Sequence, residues 1–350
     1  MTDQQHHIGP GAINHLASAI ISARKALLIT GKASFEKCGA AGKVLPMLDD
    51  ARINYTRFSD FSTNPDTIGL AKALDAARQV EPDTIIAVGG GSAIDMAKLT
   101  RHKLEGKRPL LIAVPTTAGT GSEATQFAVL YDNGIKTSVE APGMMPDIAI
   151  VDPVFTYNTP PYLTACAGFD ALAQAIEAYW NKNADDRSDH LALEAMELLY
   201  QALPRLIDNP ADNSTRDQVA RGAHLAGQAI SITRTTAPHA FSYPFSVHYG
   251  YPHGHAVALT FPFIAEINLT RPGLPDNKKR KLINLLGLEG GICRTLSAYT
   301  HSLGLAPARA DYDIPLLQSQ INLARLANNP AEITAQDANT ILIEATRPIV

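Results

Sequence analysis

Strand signals fill the first 150 or so residues of this chain and then stop. Short apolar runs at 26–30 (ALLIT), 53–58, 84–88 (TIIAV) and 110–114 alternate with helical patterns to about residue 50, at 67–80 and at 93–104. Apolar strands separated by helices predict a parallel sheet with right-handed crossovers. The runs 127–131 and 136–140 predict a hairpin around Asp132-Asn133-Gly134, because Asn-Gly is a turn signal, and 148–151 is a last strand. Beyond Asp152-Pro153 no strand pattern follows. Pro160 and Pro161 lead into a run whose apolar residues recur at three and four, as at Ala192, Ala195, Met196 and Leu199. Further helical patterns lie at 216–231, 256–268, 292–303 and 339–346. The expectation is an α/β domain over 1–157 and an all-α domain over 158–350.

Composition narrows the function classes. A chain of 350 residues, 45% hydrophobic and 18% charged, has the makings of a soluble protein of one large or two ordinary domains. A formal net charge of -4 supplies no field for nucleic acid or an anionic membrane. No apolar run approaches the ~20 residues that span a bilayer. The polar start MTDQQHHIGPG has no signal core, so a cytoplasmic location is expected. Cys38, Cys166 and Cys293 are odd in number and widely spaced, which fits reduced thiols.

Two loops stand at carboxyl ends of predicted strands. Val88 is followed by Gly89, Gly90, Gly91 and Ser92, and then by a helix. Glycines let backbone amides approach a ligand closely, Ser92 is placed to cap the helix, and a helix N-terminus favours an anion such as a pyrophosphate. The segment is neither a GxGxxG fingerprint nor a P-loop, and a tight strand-to-helix turn is the plainer reading. The second loop, PTTAGTGSE at 115–123, is small and hydroxyl-rich. In open α/β sheets ligands bind along this edge.

The helical half carries the other chemistry. Residues 235–255 hold four of the eleven histidines, and His239 and His253 each follow a proline. A Pro-His step near a helix start presents an imidazole, suited to a metal site or acid–base work, or simply to packing. Asp170 and Gln174, four apart, share a helix face. With His239 and His253 they offer a carboxylate, an amide oxygen and two imidazoles, a set for Fe²⁺ or Zn²⁺.

Together, GGGSAID, PTTAGTGSE, GFDALAQAIEAY and the paired PHA and PHG histidines resemble the iron-containing (group III) alcohol dehydrogenase family. The likeness runs from HHIGPGAINHLA to at least residue 270. It implies a dinucleotide-binding α/β domain, a helical domain of the dehydroquinate synthase-like type, an active site in the cleft between them, and commonly a homodimer. It implies NADH or NADPH and a divalent metal, Fe²⁺ first and Zn²⁺ second, held by one Asp and three His. Asp170, His239 and His253 match three of these ligands, and Gln174 replaces the first histidine. Tyr243 replaces another family histidine; Tyr243 and His255 are the candidate proton relays. By the same resemblance the cofactor contacts are Gly89, Gly90, Gly91, Ser92, Thr116, Thr117, Thr120 and Lys136. Many NAD-preferring relatives carry an Asp after the first strand. Here Gly31 and then Lys32 stand there, which makes NADPH acceptable.

The family acts on small aldehydes, ketones and alcohols. Arg234, flanked by threonines just before His239, suits an anionic substrate tail. The segments ALAQAIEAYW and ITRTTAPHAFSYP look most like the branch that reduces phosphonoacetaldehyde to 2-hydroxyethylphosphonate. The rivals are an alcohol dehydrogenase for an uncharged aldehyde or diol, a dehydroquinate synthase-like lyase, and a non-catalytic nucleotide-binding protein.

Overall fold

The computed structural model describes residues 4–106, 108–132, 135–308 and 311–347. It divides into two units at Thr159 and Pro160. The N-terminal unit is built on eight strands: β1 (Gln5–Ile8), β2 (Lys25–Thr30), β3 (Asn54–Phe58), β4 (Thr84–Gly89), β5 (Leu110–Pro115), β6 (Phe127–Asp132), β7 (Ile135–Glu140) and β8 (Ile148–Val151). Six form a parallel sheet in the order β1-β8-β5-β4-β2-β3, and β6 pairs with β7 antiparallel. The hairpin is as expected from the sequence; its turn residues Asn133 and Gly134 lie outside the described residues.

The central strands read as unbroken apolar runs because both faces are covered. Leu28, Ile86 and Val114 point into one core with Val44 and Leu48 of α1 (Ala41–Asp50). Leu27, Ile85 and Ala113 point into the other with α2 (Thr67–Val80) and α3 (Gly91–Lys103). Two details depart from expectation. The segment leading to residue 50 is not one helix: Ser34–Lys37 is a separate turn, and Gly39 at φ 80 breaks the run before α1. β1 carries no apolar run, since it is a short edge strand paired only to β8 and mostly exposed.

The C-terminal unit is helical, as predicted. Its axis is α4 (Pro161–Trp180), in which sixteen of twenty residues are buried. A helix apolar all round must lie inside other helices. Around it pack α5 (Asp186–Tyr200), α6 (Asn213–Thr233) and α8 (His253–Thr270), with α7 (Ala237–Tyr249) against α8. Phe261 of α8 meets Phe169 edge-on at 5.4 Å and stacks on Trp180 at 5.7 Å, fixing α8 against α4. Among the described residues no helix is long and apolar enough to cross a membrane.

A candidate metal centre and a glycine-lined strand edge

Along the six-stranded sheet, the expected cofactor residues other than Lys136 gather at the carboxyl ends of β2, β4 and β5. β3 lies on one side of β2 and β4 on the other, so this is where the connections leave in opposite directions. Such a switch point opens a crevice. Gly31 follows β2 and Gly89 ends β4, and a Cβ on Gly89 would come 3.4 Å from the Gly31 nitrogen and 2.7 Å from Ala93 Cβ. The two loops touch. The Thr116 N–H donates to the Gly89 carbonyl at 2.9 Å, and a Cβ on Gly91 would stand 2.8 Å from Thr120 Oγ1. Gly90 faces Thr117, whose Oγ1 would lie 3.3 Å from such a Cβ.

One expectation here needs correction. Ser92 does not cap α3. The helix begins two residues earlier than expected, at Gly91 with Gly90 at its N-cap, and the Ser92 hydroxyl donates instead to the Thr63 carbonyl. Lys32 follows Gly31 as the sequence has it, and it has a partner. Its Nζ lies 3.5 Å from Asp60 Oδ1, and Asp60 also takes Lys72 at 2.7 Å. An acid does stand near this edge, brought by the residues after β3.

Behind the loops lies a buried network. Lys98 Nζ donates to Ser122 Oγ (3.0 Å), Thr125 Oγ1 (3.0 Å) and the Phe127 carbonyl (2.9 Å), with Asp95 Oδ1 at 4.0 Å. Asp95 accepts from the Ser122 hydroxyl and from the Val129 N–H at 2.9 Å. The network ties α3 to the second loop and to β6. Lys136, on β7 opposite Tyr131, adds its charge near Asp95. Burial pushes the Lys98 ammonium down to about 8 against the pull of Asp95.

The helical unit brings three expected ligands to one point. Asp170 lies in the middle of α4, His239 in the first turn of α7 and His253 at the first position of α8. Asp170 Oδ1 is 3.2 Å from His239 Nε2 and 3.8 Å from His253 Nε2. All three ligand atoms lie within 4.8 Å of one another. Ligands about 2.1 Å from a shared tetrahedral ion stand about 3.4 Å apart, so these separations bracket the value for a common centre. Gly254 makes the approach possible: a Cβ there would collide with the Cys166 carbonyl at 1.9 Å and crowd Asp170 Cβ at 3.0 Å. One carboxylate and two imidazoles, of which only His253 is part-exposed, fit a divalent cation of borderline hardness.

Gln174 is buried beside them, but its Nε2 donates to Asp170 Oδ2 at 3.3 Å. The amide thus holds the second carboxylate oxygen of Asp170. Tyr243 is close, its ring centroid 6.4 Å from that of His253. His255 is turned to other work. Its Nε2–H donates to the Ala306 carbonyl and its Nδ1 accepts from the Tyr162 hydroxyl, each at 2.8 Å. Burial holds its pKa below the usual value. Arg234 sits just past the end of α6, with Nη1 donating to the Ser231 carbonyl at 2.7 Å. Its backbone is at φ 72, ψ 180.

One residue of the centre escaped the sequence reading. Glu177 is fully buried, its Oε1 2.8 Å from His239 Nδ1 and its Oε2 accepting the Thr236 N–H at 2.6 Å. Its only signal was an acid seven residues beyond Asp170, two turns along the same face. Burial works against a charged His239, but the charge of Glu177 and the hydrogen bonds to both acids push it up to about 10.

Comparison with known proteins bears on both units. The family model described as iron-containing alcohol dehydrogenase matches residues 4–153, and the Fe-containing alcohol dehydrogenase family C-terminal model matches 164–345. Long-chain-alcohol dehydrogenase 1 of Geobacillus thermodenitrificans is 34% identical over 74% of this chain and 70% of its own length. The solved iron-containing alcohol dehydrogenase of Thermotoga maritima superposes with a TM-score of 0.88 at 28% identity, covering 99% of this chain and 98% of that one. A sulfoacetaldehyde reductase from Bifidobacterium kashiwanohense, solved with NAD+, gives the same values. With models matched across both units and a curated relative at 34% identity, the chain belongs to the iron-containing alcohol dehydrogenase family.

Proposed function

We propose that this enzyme reduces a small aldehyde with an acidic tail, phosphonoacetaldehyde foremost, to the alcohol, using NADH or NADPH and a divalent metal. The convergence of Asp170 Oδ1, His239 Nε2 and His253 Nε2 carries the reading. A cation held there supplies Lewis-acid polarisation of the aldehyde oxygen, and the nicotinamide supplies the hydride. The chain's own parts are binding and positioning. The amides at the start of α3 and the Thr116–Thr120 loop suit a pyrophosphate and ribose. Tyr243, beside His253, is the better placed of the two relay candidates for handing a proton to the alkoxide, since both nitrogens of His255 are engaged elsewhere.

The acidic tail is assigned to Arg234. A non-glycine residue at φ 72, ψ 180 occupies backbone space nearly reserved for glycine, a cost of roughly 1–3 kcal/mol. Strain of this kind is kept where the surroundings over-determine it, often at a ligand clamp. Here it lies five residues before His239. The Arg325 charge acts on the same guanidinium, so two cations share the neighbourhood. A relative whose name gives it an aldehyde with a sulfonate tail supports the same substrate class.

The test is a paired assay of phosphonoacetaldehyde and an uncharged aldehyde of similar size, with NADH and with NADPH. Arg234→Ala should raise KM for the anionic substrate on the order of 10–100-fold, with little change for the neutral one. Equal effects on both remove the tail from Arg234. Preference for the neutral aldehyde in the wild type overturns the acidic-tail reading and leaves an alcohol dehydrogenase for an uncharged substrate.

A further inference from the structure

Glu177 is where the metal centre and the strained turn meet. It lies seven residues after Asp170 on α4, so the two carboxylates share a face two turns apart. A buried acid is expensive unless its oxygens are engaged, and each of these is. Oε1 faces His239 Nδ1 at 2.8 Å, and Oε2 takes the N–H of Thr236, the residue before α7. An ionised carboxylate can only accept, so Nδ1 must carry a proton. That makes Nε2, the atom 3.2 Å from Asp170 Oδ1, the one a cation would take, in place of the proton this nitrogen otherwise presents to that oxygen.

We propose that Glu177 is a positioning residue of this metal centre. It holds His239 as the Nδ1–H tautomer, with Nε2 aimed at the ion. Through the Thr236 amide it also fixes the turn 234–236 from which both Arg234 and His239 depart. The inference rests on the metal site of the proposed function but not on the substrate. The end of α4 grips the same turn twice more: Trp180 Nε1–H donates to Thr236 Oγ1 at 2.9 Å, and Asn181 Nδ2 donates to the Arg234 carbonyl at 3.1 Å. Those bonds reach the turn without touching the imidazole, so they separate holding the turn from holding the ring.

The test is Zn²⁺ affinity of the stripped, full-length protein, read by competition with a chromophoric chelator. Glu177→Gln should weaken the Kd about 10–100-fold, the usual loss when a carboxylate behind a ligand histidine is removed. Trp180→Phe, which keeps the ring on Phe261, should stay within about 3-fold of wild type. A ¹⁵N NMR spectrum of the Zn²⁺-loaded wild type should show the His239 proton on Nδ1, whether or not any variant folds. An unchanged Kd in folded Glu177→Gln, equal losses in both variants, or the proton on Nε2 would each overturn the inference. If wild type binds one Zn²⁺ and His253→Ala does not, while Glu177→Gln binds normally, the metal centre stands and only the role of Glu177 falls. A wild type that takes up no Zn²⁺ removes both.

Discussion

In the N-terminal unit the buried Lys98 ammonium has three oxygen acceptors and Asp95 at 4.0 Å; in the C-terminal unit Asp170 and Glu177 both close on His239. The first cluster finds its countercharge within the chain. Its task is mechanical: Lys98 and Asp95 lock the second loop to α3 and β6, so that the glycine edge can be built from backbone alone. The second cluster sets one acid and two imidazoles around one point, with a second acid behind His239, a donor set suited to a cation. Burying charge is costly in both, but only in the second does a bound ion complete the balance. Closed networks hold shape; clusters with unbalanced charge mark where chemistry enters.

That contrast can be broken in stages. His253→Ala should remove metal content and lower kcat/KM by on the order of 10³-fold, about 4 kcal/mol, while NADH binding measured by fluorescence stays intact. Loss of NADH binding would mean that the two clusters are not separate in function. Lys98→Met should act the other way. It strands Asp95 and should cost about 3 kcal/mol in denaturant unfolding, leaving the Zn²⁺ Kd of folded protein unchanged. A weakened Kd would show that the closed network also serves the ion. The smallest effect is expected from Gln174→His. An imidazole in place of an amide that now holds Asp170 Oδ2 should tighten Fe²⁺ or Zn²⁺ on the order of tenfold. No gain would show that the position faces away from the ion and that Gln174 serves only the carboxylate.

Much of this was legible from the chain. Doubly buried strands are continuous apolar runs, so β2, β4 and β5 announced themselves, and the glycines after β4 marked a close approach. The Pro-His steps placed two imidazoles at helix starts, where they are found. The misses have physical causes. β1 is an exposed edge strand whose QHHI has no apolar period. Ser92 looked like a cap because cap chemistry is local, yet the Thr63 carbonyl that claims it comes from a distant loop. Asp60, which neutralises Lys32, likewise arrives through the β2–β3 pairing. Glu177 was hidden in an apolar helix, where an acid seven from another looks like a solvated face until its partners at 236 and 239 are brought across.

The central claim is that Asp170, His239 and His253 share one cation. Crystals grown with Zn²⁺ and measured at the zinc absorption edge test it most directly. A single strong anomalous peak is expected about 2.0–2.2 Å from Asp170 Oδ1, His239 Nε2 and His253 Nε2. A fully occupied zinc elsewhere, with these three side chains turned apart, would contradict it.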